Sequence, residues 1–204
     1  MFTVTSKRAW VPIAVTLALT SGLAGTAAQN QAVEEFSALA INVNSRPTAP
    51  RRPTTVRLTI RIERWSTDAE RDSLLQIVKQ GDNVNRMNQA LLTALQRMPR
   101  VGRIRETSSL GWDLRFARQA PLGDGGRQIV VATDRAMDFW EVSNRPRSFD
   151  YPFTVFEMHL DKNNQGEGKM LADTRVLIDP RTNELVMEQY DISPVRLNQI
   201  RPVR

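Results

Sequence analysis

The sequence predicts an α+β fold, a mostly antiparallel, curved or barrel-like meander sheet with an αα-hairpin inserted after the second strand. Apolar and polar residues alternate strictly over 55–63, and they alternate again in a series of short segments after Val101. Between these regions, residues 67–99 carry apolar side chains at helical spacing. Sequential hairpins favour one antiparallel sheet with the helix pair packed against it. Two versions fit: a curved sheet that wraps around its helices, and a nearly closed barrel with the helices at one end.

Two strands are expected before the helices. The segment FSALAINVN (36–44) is a candidate first strand, and the proline- and arginine-rich SRPTAPRRPTT that follows is typical of a linker or an exposed loop. The clearest strand is TVRLTIRIE (55–63), in which Val56, Leu58, Ile60 and Ile62 alternate with polar residues. That alternation predicts one buried face and one solvated face.

The helix pair has recognisable start and stop signals. Thr67 and Glu70 form a Thr-x-x-Glu capping box that begins the first helix, and Gly81 ends it. A second helix is expected from Asp82 or Asn83 until Pro99. Its apolar stripe consists of Val84, Met87, Leu91, Leu95 and Met98. The short turn between the two helices makes them neighbours.

Five to seven strands are expected after the helices. GWDLRFARQ and RQIVVATD flank the turn PLGDGG and predict a hairpin, in which Trp112, Leu114 and Phe116 share a face. Further strands are expected in VGRIRE, YPFTVFEMHL, GKMLADTRVLID and ELVMEQYDI. The tail, SPVRLNQIRPVR, is expected to pair as an edge or to cover the sheet.

Residues 1–28 have the order of a secretory signal peptide, with Lys7 and Arg8 before an apolar stretch and small residues at its end. The stretch is shorter than the roughly 20 residues of a membrane span. We therefore expect export to the periplasm or the extracellular space, with no stable membrane insertion after cleavage. The remaining chain is expected to comprise a loose N-terminal segment with a candidate strand and a linker (29–54) and a single α+β domain (55–204).

The composition excludes several classes of function. The chain has no cysteine, which excludes disulfides, thiol chemistry and cysteine-ligated zinc. Its net charge of +6 is carried by 24 arginines and only 4 lysines. The densest arginine run, RMPRVGRIR (97–105), has no nucleic-acid-binding motif beside it, so no nucleic-acid partner is expected.

The only histidine lies in FEMHLD (156–161), where a strand would place Glu157, His159 and Asp161 on one face. No nucleophile motif accompanies them, and three neighbours on one strand make a poor metal cage. Burial favours the opposite, apolar face, so these three side chains are expected to face solvent. No catalytic residue is assigned.

The segment DKNNQGEGKMLA (161–172) begins like an EF-hand loop. Its twelfth position is Ala172, where calcium binding requires a bidentate glutamate. The flanking segments are typical of strands, and a hairpin loop explains the same residues. We therefore expect no metal and no cofactor.

The longest interruption of the strand series is TDRAMDFWEVSNRPRSFDYP (133–152). Long loops of this kind often carry function, and aromatic residues beside carboxylates and arginines suit a sugar, a peptide or an anionic small molecule. The candidate ligand-binding residues are Asp134, Asp138, Trp140, Glu141, Arg145, Arg147 and Tyr151. The alternative is a short helical turn that plugs one end of the sheet with Met137, Phe139 and Trp140.

Four stretches, RWSTDAERDSLL, SLGWDLRFARQ, ATDRAMDFWE and RSFDYPFTVFEMHL, resemble a family of uncharacterised exported bacterial proteins with no assigned activity. The resemblance extends over residues 55–204. It implies a bacterial, export-side location, and it implies no catalytic residues.

These patterns favour an exported, non-catalytic module that binds a small ligand or a partner such as an envelope protein. No catalytic constellation is present, and a sheet with a helix pair is able to enclose an apolar pocket. One alternative is a carboxylate-dependent hydrolase that uses Asp134, Asp138 or Glu141 of the 133–152 loop. The other is a structural or assembly protein of the cell envelope, with residues 46–53 as a flexible tether.

Overall fold

Ten strands and two helices form the described part of the chain. The computed structural model describes residues 33–42, 54–81, 83–107, 109–135, 137, 153–171, 174–179, 184–189 and 195–203. In chain order the elements are β1 (Glu34–Asn42), β2 (Thr54–Ile62), α1 (Asp68–Gln80), α2 (Val84–Arg97), β3 (Gly102–Glu106), β4 (Trp112–Pro121), β5 (Arg127–Thr133), β6 (Val155–Leu160), β7 (Gly166–Leu171), β8 (Thr174–Asp179), β9 (Glu184–Gln189) and β10 (Val195–Pro202).

Eight of these strands close into an antiparallel barrel in the order β1-β10-β7-β6-β5-β4-β3-β2. The predicted α+β class, with an αα-hairpin after the second strand, is therefore confirmed. The expectation that the tail forms an edge or a cover is wrong, because β10 pairs with β1 on one side and β7 on the other. The amide of Val203 also donates to the Glu35 carbonyl at 2.8 Å, at the β1–β10 seam.

The segment GKMLADTRVLID, which the sequence suggested as one strand, divides into two. β7 belongs to the barrel, whereas β8 pairs with β9 in a separate two-stranded sheet. The described residues after the helices therefore form eight strands, one more than the largest number expected.

Alternation along the strands fills the barrel with apolar side chains. An eight-stranded barrel has an interior just wide enough for side chains to fill, and burying one large apolar side chain contributes roughly 1.5–3 kcal/mol. The largest members of this inner core are Phe36, Leu58, Ile60, Ile62, Ile104, Leu114, Ile129, Met137, Phe156, Met158, Leu160 and Met170.

Two glycines of β7 allow β6 and β7 to approach closely. Gly166 and Gly168 lie opposite the inward-facing Leu160 and Met158. A Cβ at Gly166 would lie 1.9 Å from the carbonyl oxygen of His159, and one at Gly168 would lie 2.2 Å from that of Glu157. Glycine at these positions therefore fits the tight coiling of the barrel wall.

The helix pair packs on the outside of the barrel, not at its end and not inside a curved sheet. Val130 and Val155 face outward, because their neighbours Val131 and Phe156 lie in the inner core. A second apolar cluster joins these two side chains to residues of both helices. Its helical members are Val78, Met87, Leu91, Leu95 and Met98. Within the described ranges, no helix is long and apolar enough to cross a membrane.

An irregularity in β4 corrects the expected face of Phe116. The register with β5 shifts between Leu114 and Phe116, and such a bulge places two residues of one strand opposite one residue of its partner. Leu114 and Ala117 therefore lie in the inner core, whereas Phe116 lies in the outer cluster beneath the helices.

Arg64 joins the barrel to the start of α1. Thr67 and Glu70 make both bonds of the predicted capping box, and the Arg64 guanidinium donates to the two Glu70 carboxylate oxygens at 2.8 and 3.0 Å. A further, longer bond of 3.5 Å reaches the carbonyl of Pro99, just after α2. One side chain thus contacts both junctions between the helix pair and the barrel.

Candidate functional site

Of the predicted ligand-binding residues, only Asp134 lies within the described chain. It follows β5, and its carboxylate forms an ion pair with Arg115 at 3.3 Å. Arg115 also donates to the Met98 carbonyl at 3.3 Å, which connects this pair to the end of α2. The other six residues, Asp138, Trp140, Glu141, Arg145, Arg147 and Tyr151, lie outside the described residues.

The start of the 133–152 loop is tied to the barrel. Met137 lies in the inner core, and its amide donates to the Thr154 hydroxyl at 2.8 Å. The same hydroxyl donates to the Arg135 carbonyl at 3.1 Å. Met137 is therefore a core residue, whereas Phe139 and Trp140 lie outside the described residues, so the plug hypothesis stays a prediction. The hydrolase and the assembly-protein hypotheses stay predictions.

The FEMHLD strand is oriented as expected, with one exception. Its apolar residues, Phe156, Met158 and Leu160, lie in the inner core, and the His159 side chain is 55% exposed. Glu157 was expected to face solvent, and this prediction is wrong because its side chain is only 4% exposed. The strand therefore carries a buried carboxylate on its outer face.

Glu157 lies at the border between the helix-covered face and an open surface. Outward-facing positions of β5, β6 and β7 form cross-strand rows, which are Gln128–His159–Glu167, Val130–Glu157–Lys169 and Ala132–Val155–Leu171. The last of these rows lies entirely in the outer apolar cluster, and Val130 of the middle row does as well. Glu157 is thus the first polar side chain beyond this apolar surface.

The two oxygens of the Glu157 carboxylate differ in their contacts. Oε1 accepts a hydrogen bond from the Gln128 side-chain nitrogen at 3.0 Å and lies 2.6 Å from Nε2 of His159. Oε2 is buried and has no hydrogen-bond partner within the described part of the chain. A buried acceptor without a donor costs about 1–3 kcal/mol, and more when it is charged. This oxygen therefore has acceptor capacity that no described group uses.

An open groove of about 490 Å³ lies over this part of β6 and β7. We call it the Glu157 groove. Its ionisable lining residues are Asp124, Glu157, His159, Asp161, Glu167 and Lys169. Four carboxylates face one lysine and one histidine, so the groove favours a positively charged occupant.

Two of these carboxylates accept hydrogen bonds from backbone amides of the turns in which they lie. Asp124 accepts the Gly126 amide at 2.9 Å. Asp161 accepts the amides of Gln165 at 2.9 Å and Asn163 at 2.8 Å, and these bonds, that from Gln165 foremost, hold the pKa of Asp161 below its ordinary value. The residues that resembled an EF-hand start therefore close a hairpin turn.

Within the described part of the chain, the groove lacks two arrangements that would indicate a reaction of a known type. Its described lining has no hydroxyl or thiol nucleophile beside His159, which nucleophilic catalysis of the triad type requires. Over the described residues, no group of three or more His, Cys, Asp or Glu side chains is arranged to hold a metal ion. The arrangement fits the binding of a donor group by a fixed carboxylate.

Sequence reasoning missed both the burial of Glu157 and the role of Gln128. One signal was available in β5, where Ile129, Val130, Val131 and Ala132 are apolar without alternation. A continuous apolar run indicates a strand that is covered on both faces. The outer neighbours of this strand, Glu157 among them, are therefore candidates for burial.

Comparisons of the chain with protein-family models, curated proteins and solved structures give no match. The groove is therefore interpreted from its own geometry.

Proposed function

We propose that this protein is an exported, non-catalytic binding module that holds an ammonium or guanidinium group in the Glu157 groove. The group belongs either to a small amine or to a lysine or arginine side chain of a partner protein. The observation that carries the proposal is the buried Glu157 Oε2, which lacks a hydrogen-bond donor among the described residues.

The fixed position of Glu157 supports binding rather than simple surface charge. Gln128 and His159 both contact Oε1, which leaves Oε2 as the free acceptor. A carboxylate held in this way loses little side-chain entropy when a ligand binds, and such preorganisation increases affinity. Charge-assisted hydrogen bonds are also the stronger ones.

Lys169 is the chain's own competitor for this oxygen. It lies directly opposite Glu157 across β6 and β7, and it lines the same groove. The ion pairs of the described residues nevertheless include none between Lys169 and Glu157. An incoming cation therefore meets a carboxylate whose Oε2 has no donor among the described residues, together with a lysine that repels it.

The volume of the groove agrees with this proposal. Its volume of about 490 Å³ lies within the roughly 300–1,000 Å³ of small-ligand sites.

The signal-like residues 1–28 support export, and the absence of cysteine means that the protein has no disulfides.

A titration followed by ¹H–¹⁵N NMR tests the proposal. The probes are putrescine, N-acetyl-lysine amide and N-acetyl-arginine amide, with N-acetyl-norleucine amide as the neutral control. We expect the cationic probes, but not the neutral one, to shift the amide signals of Glu157, His159 and Lys169. Glu157→Gln should weaken binding by about 10-fold or more, because the lost charged hydrogen bond contributes about 1.5–3 kcal/mol.

Two further variants separate a site from general attraction. Glu167→Gln removes an exposed carboxylate of the same groove, and we expect it to weaken binding by only about two- to threefold. Lys169→Met removes the competing cation and should strengthen binding. Equal losses in Glu157→Gln and Glu167→Gln, or no shift with any cationic probe, would refute the site.

A further inference from the structure

A second surface with a defined charge pattern lies around β1, on the outer face of β10, β1, β2 and β3, with the start of β4 at its edge. The strand registers arrange its outward-facing positions in four cross-strand rows. From one end of the barrel, these rows are Glu35–Arg61–Arg103–Asp113, Arg201–Ser37–Thr59–Arg105, Asn198–Leu39–Arg57 and Arg196–Ile41–Thr55.

The first row is internally neutralised. Arg61 and Arg103 face each other directly, an arrangement that is unfavourable for two like charges. Glu35 lies 3.3 Å from Arg61, and Asp113 lies 3.9 Å from Arg103, so each arginine has a carboxylate on its other side. The two positive and two negative charges of this row therefore balance each other.

The remaining three rows have no such balance. They contain four arginines and no aspartate or glutamate, and we call this surface the arginine face (Arg57, Arg105, Arg196 and Arg201). All four residues are exposed. Arg57 donates a hydrogen bond to the Ser37 hydroxyl at 3.3 Å. Among the described residues, Arg105, Arg196 and Arg201 have no ion-pair partner.

The residues between these arginines are neutral and partly apolar. Leu39 and Ile41 are half-buried at the centre of the face, on β1, while Ser37, Thr55 and Thr59 present small side chains. Neighbouring strands are about 4.8 Å apart, so the guanidinium groups span roughly 15 Å from β10 to β3. Arginine is the side chain best suited to phosphate, which it binds through paired N–H donors.

We propose that the arginine face docks on a membrane surface that displays anionic phosphate headgroups. A broad sheet face with separated guanidinium groups and central aliphatic side chains fits such a surface. Nucleic acid fits less well, because no helix is presented for a groove and no aromatic residue lies among the four arginines for base stacking. This proposal is independent of the one for the Glu157 groove, which lies on β6 and β7.

Sedimentation with lipid vesicles tests the proposal. The vesicles contain phosphatidylcholine alone or with 30 mol% phosphatidylglycerol, at about 0.1 M salt. We expect binding to the anionic vesicles only, and a loss of about fivefold in affinity for each arginine removed. If the losses multiply, the variant R57Q/R105Q/R196Q/R201Q should lose about 600-fold.

A charge-matched control distinguishes a face from net charge. R61Q/R71Q/R100Q/R103Q removes four arginines that are each paired with a carboxylate, and we expect it to retain vesicle binding within about fivefold. Thermal unfolding of both variants checks that they are folded.

Three outcomes would overturn the proposal. The first is an equal loss in the two variants, which would assign binding to overall charge. The second is no binding of the unmodified protein to anionic vesicles. The third is tighter binding to duplex DNA or heparin than to vesicles, with the same dependence on the four arginines, which would assign the face to a soluble polyanion.

Discussion

Replacing Glu70 by alanine tests whether one ion pair holds the helix pair to the barrel. Glu70 accepts two bonds from Arg64, at 2.8 and 3.0 Å, and one from the Thr67 amide at 2.8 Å. The Glu70 side chain is 18% exposed and that of Arg64 is 33% exposed. Solvent therefore screens this pair less than a fully exposed one.

The expected cost follows from these contacts. Loss of a helix N-cap interaction costs about 1 kcal/mol, and hydrogen bonds to a charged group contribute about 1.5–3 kcal/mol before screening. Allowing about half of the latter for the exposed side of Arg64, we expect Glu70→Ala to lower the free energy of unfolding by about 2 kcal/mol. For a domain of this size, that corresponds to a fall of about 4–8 °C in Tm.

Thermal and urea unfolding followed by circular dichroism measure this effect. Glu70→Gln keeps an oxygen for the Thr67 amide, as a capping box permits, and should cost only about 1 kcal/mol. The control is Asp72→Ala, whose ion pair with Arg71 is as short, at 2.8 Å, but whose carboxylate is 56% exposed. If Glu70→Ala and Asp72→Ala lower Tm equally, the Arg64–Glu70 pair does not hold the helices.

Two further outcomes are expected. The bonds from Arg64, foremost, hold the pKa of Glu70 below its ordinary value. The stabilisation by the Glu70 carboxylate is therefore present above the unfolded-state pKa of about 4.3, and it is lost as the pH falls through the lower folded-state pKa. Below about pH 4.3 the free energy of unfolding should therefore fall more steeply with pH in the unmodified protein than in Glu70→Gln. Urea unfolding at several pH values measures this free energy, and the same pH dependence in both proteins would contradict the expectation. Gly168→Ala would place a Cβ 2.2 Å from the Glu157 carbonyl oxygen, whereas Gly123→Ala would meet nothing within 4 Å. We expect a loss of about 1–3 kcal/mol for the first and less than about 0.5 kcal/mol for the second, and equal urea midpoints would disprove the steric account of β7.

Local patterns in the sequence predict the local structure well. The alternation in β2 correctly assigns Leu58, Ile60 and Ile62 to the core, and the Thr67–Glu70 capping box marks the start of α1. These signals act between near neighbours, so that a single sequence contains all of the information that they require.

Features that depend on distant contacts could not be predicted in the same way. The irregularity between Leu114 and Phe116 shifts Phe116 to the outer face, and nothing in the composition of β4 marks it. The burial of Glu157 depends on side chains of neighbouring strands, among them Gln128 and Val130 of β5. The arginine face depends on the registers of four strands, two of which, β1 and β10, are far apart in the sequence.

The β1–β10 seam sets when the sheet can be completed. A ribosome makes β10 after the other seven strands of the barrel, and until then β1 and β7 each lack the neighbour that takes up their edge hydrogen bonds. Open edges of this kind are templates for aggregation, so a chain truncated before Val195 would be left with two of them. Conversely, a circular permutant that links residues near 33 and 203 and opens the turn at Gly123 would retain every strand pairing of the barrel.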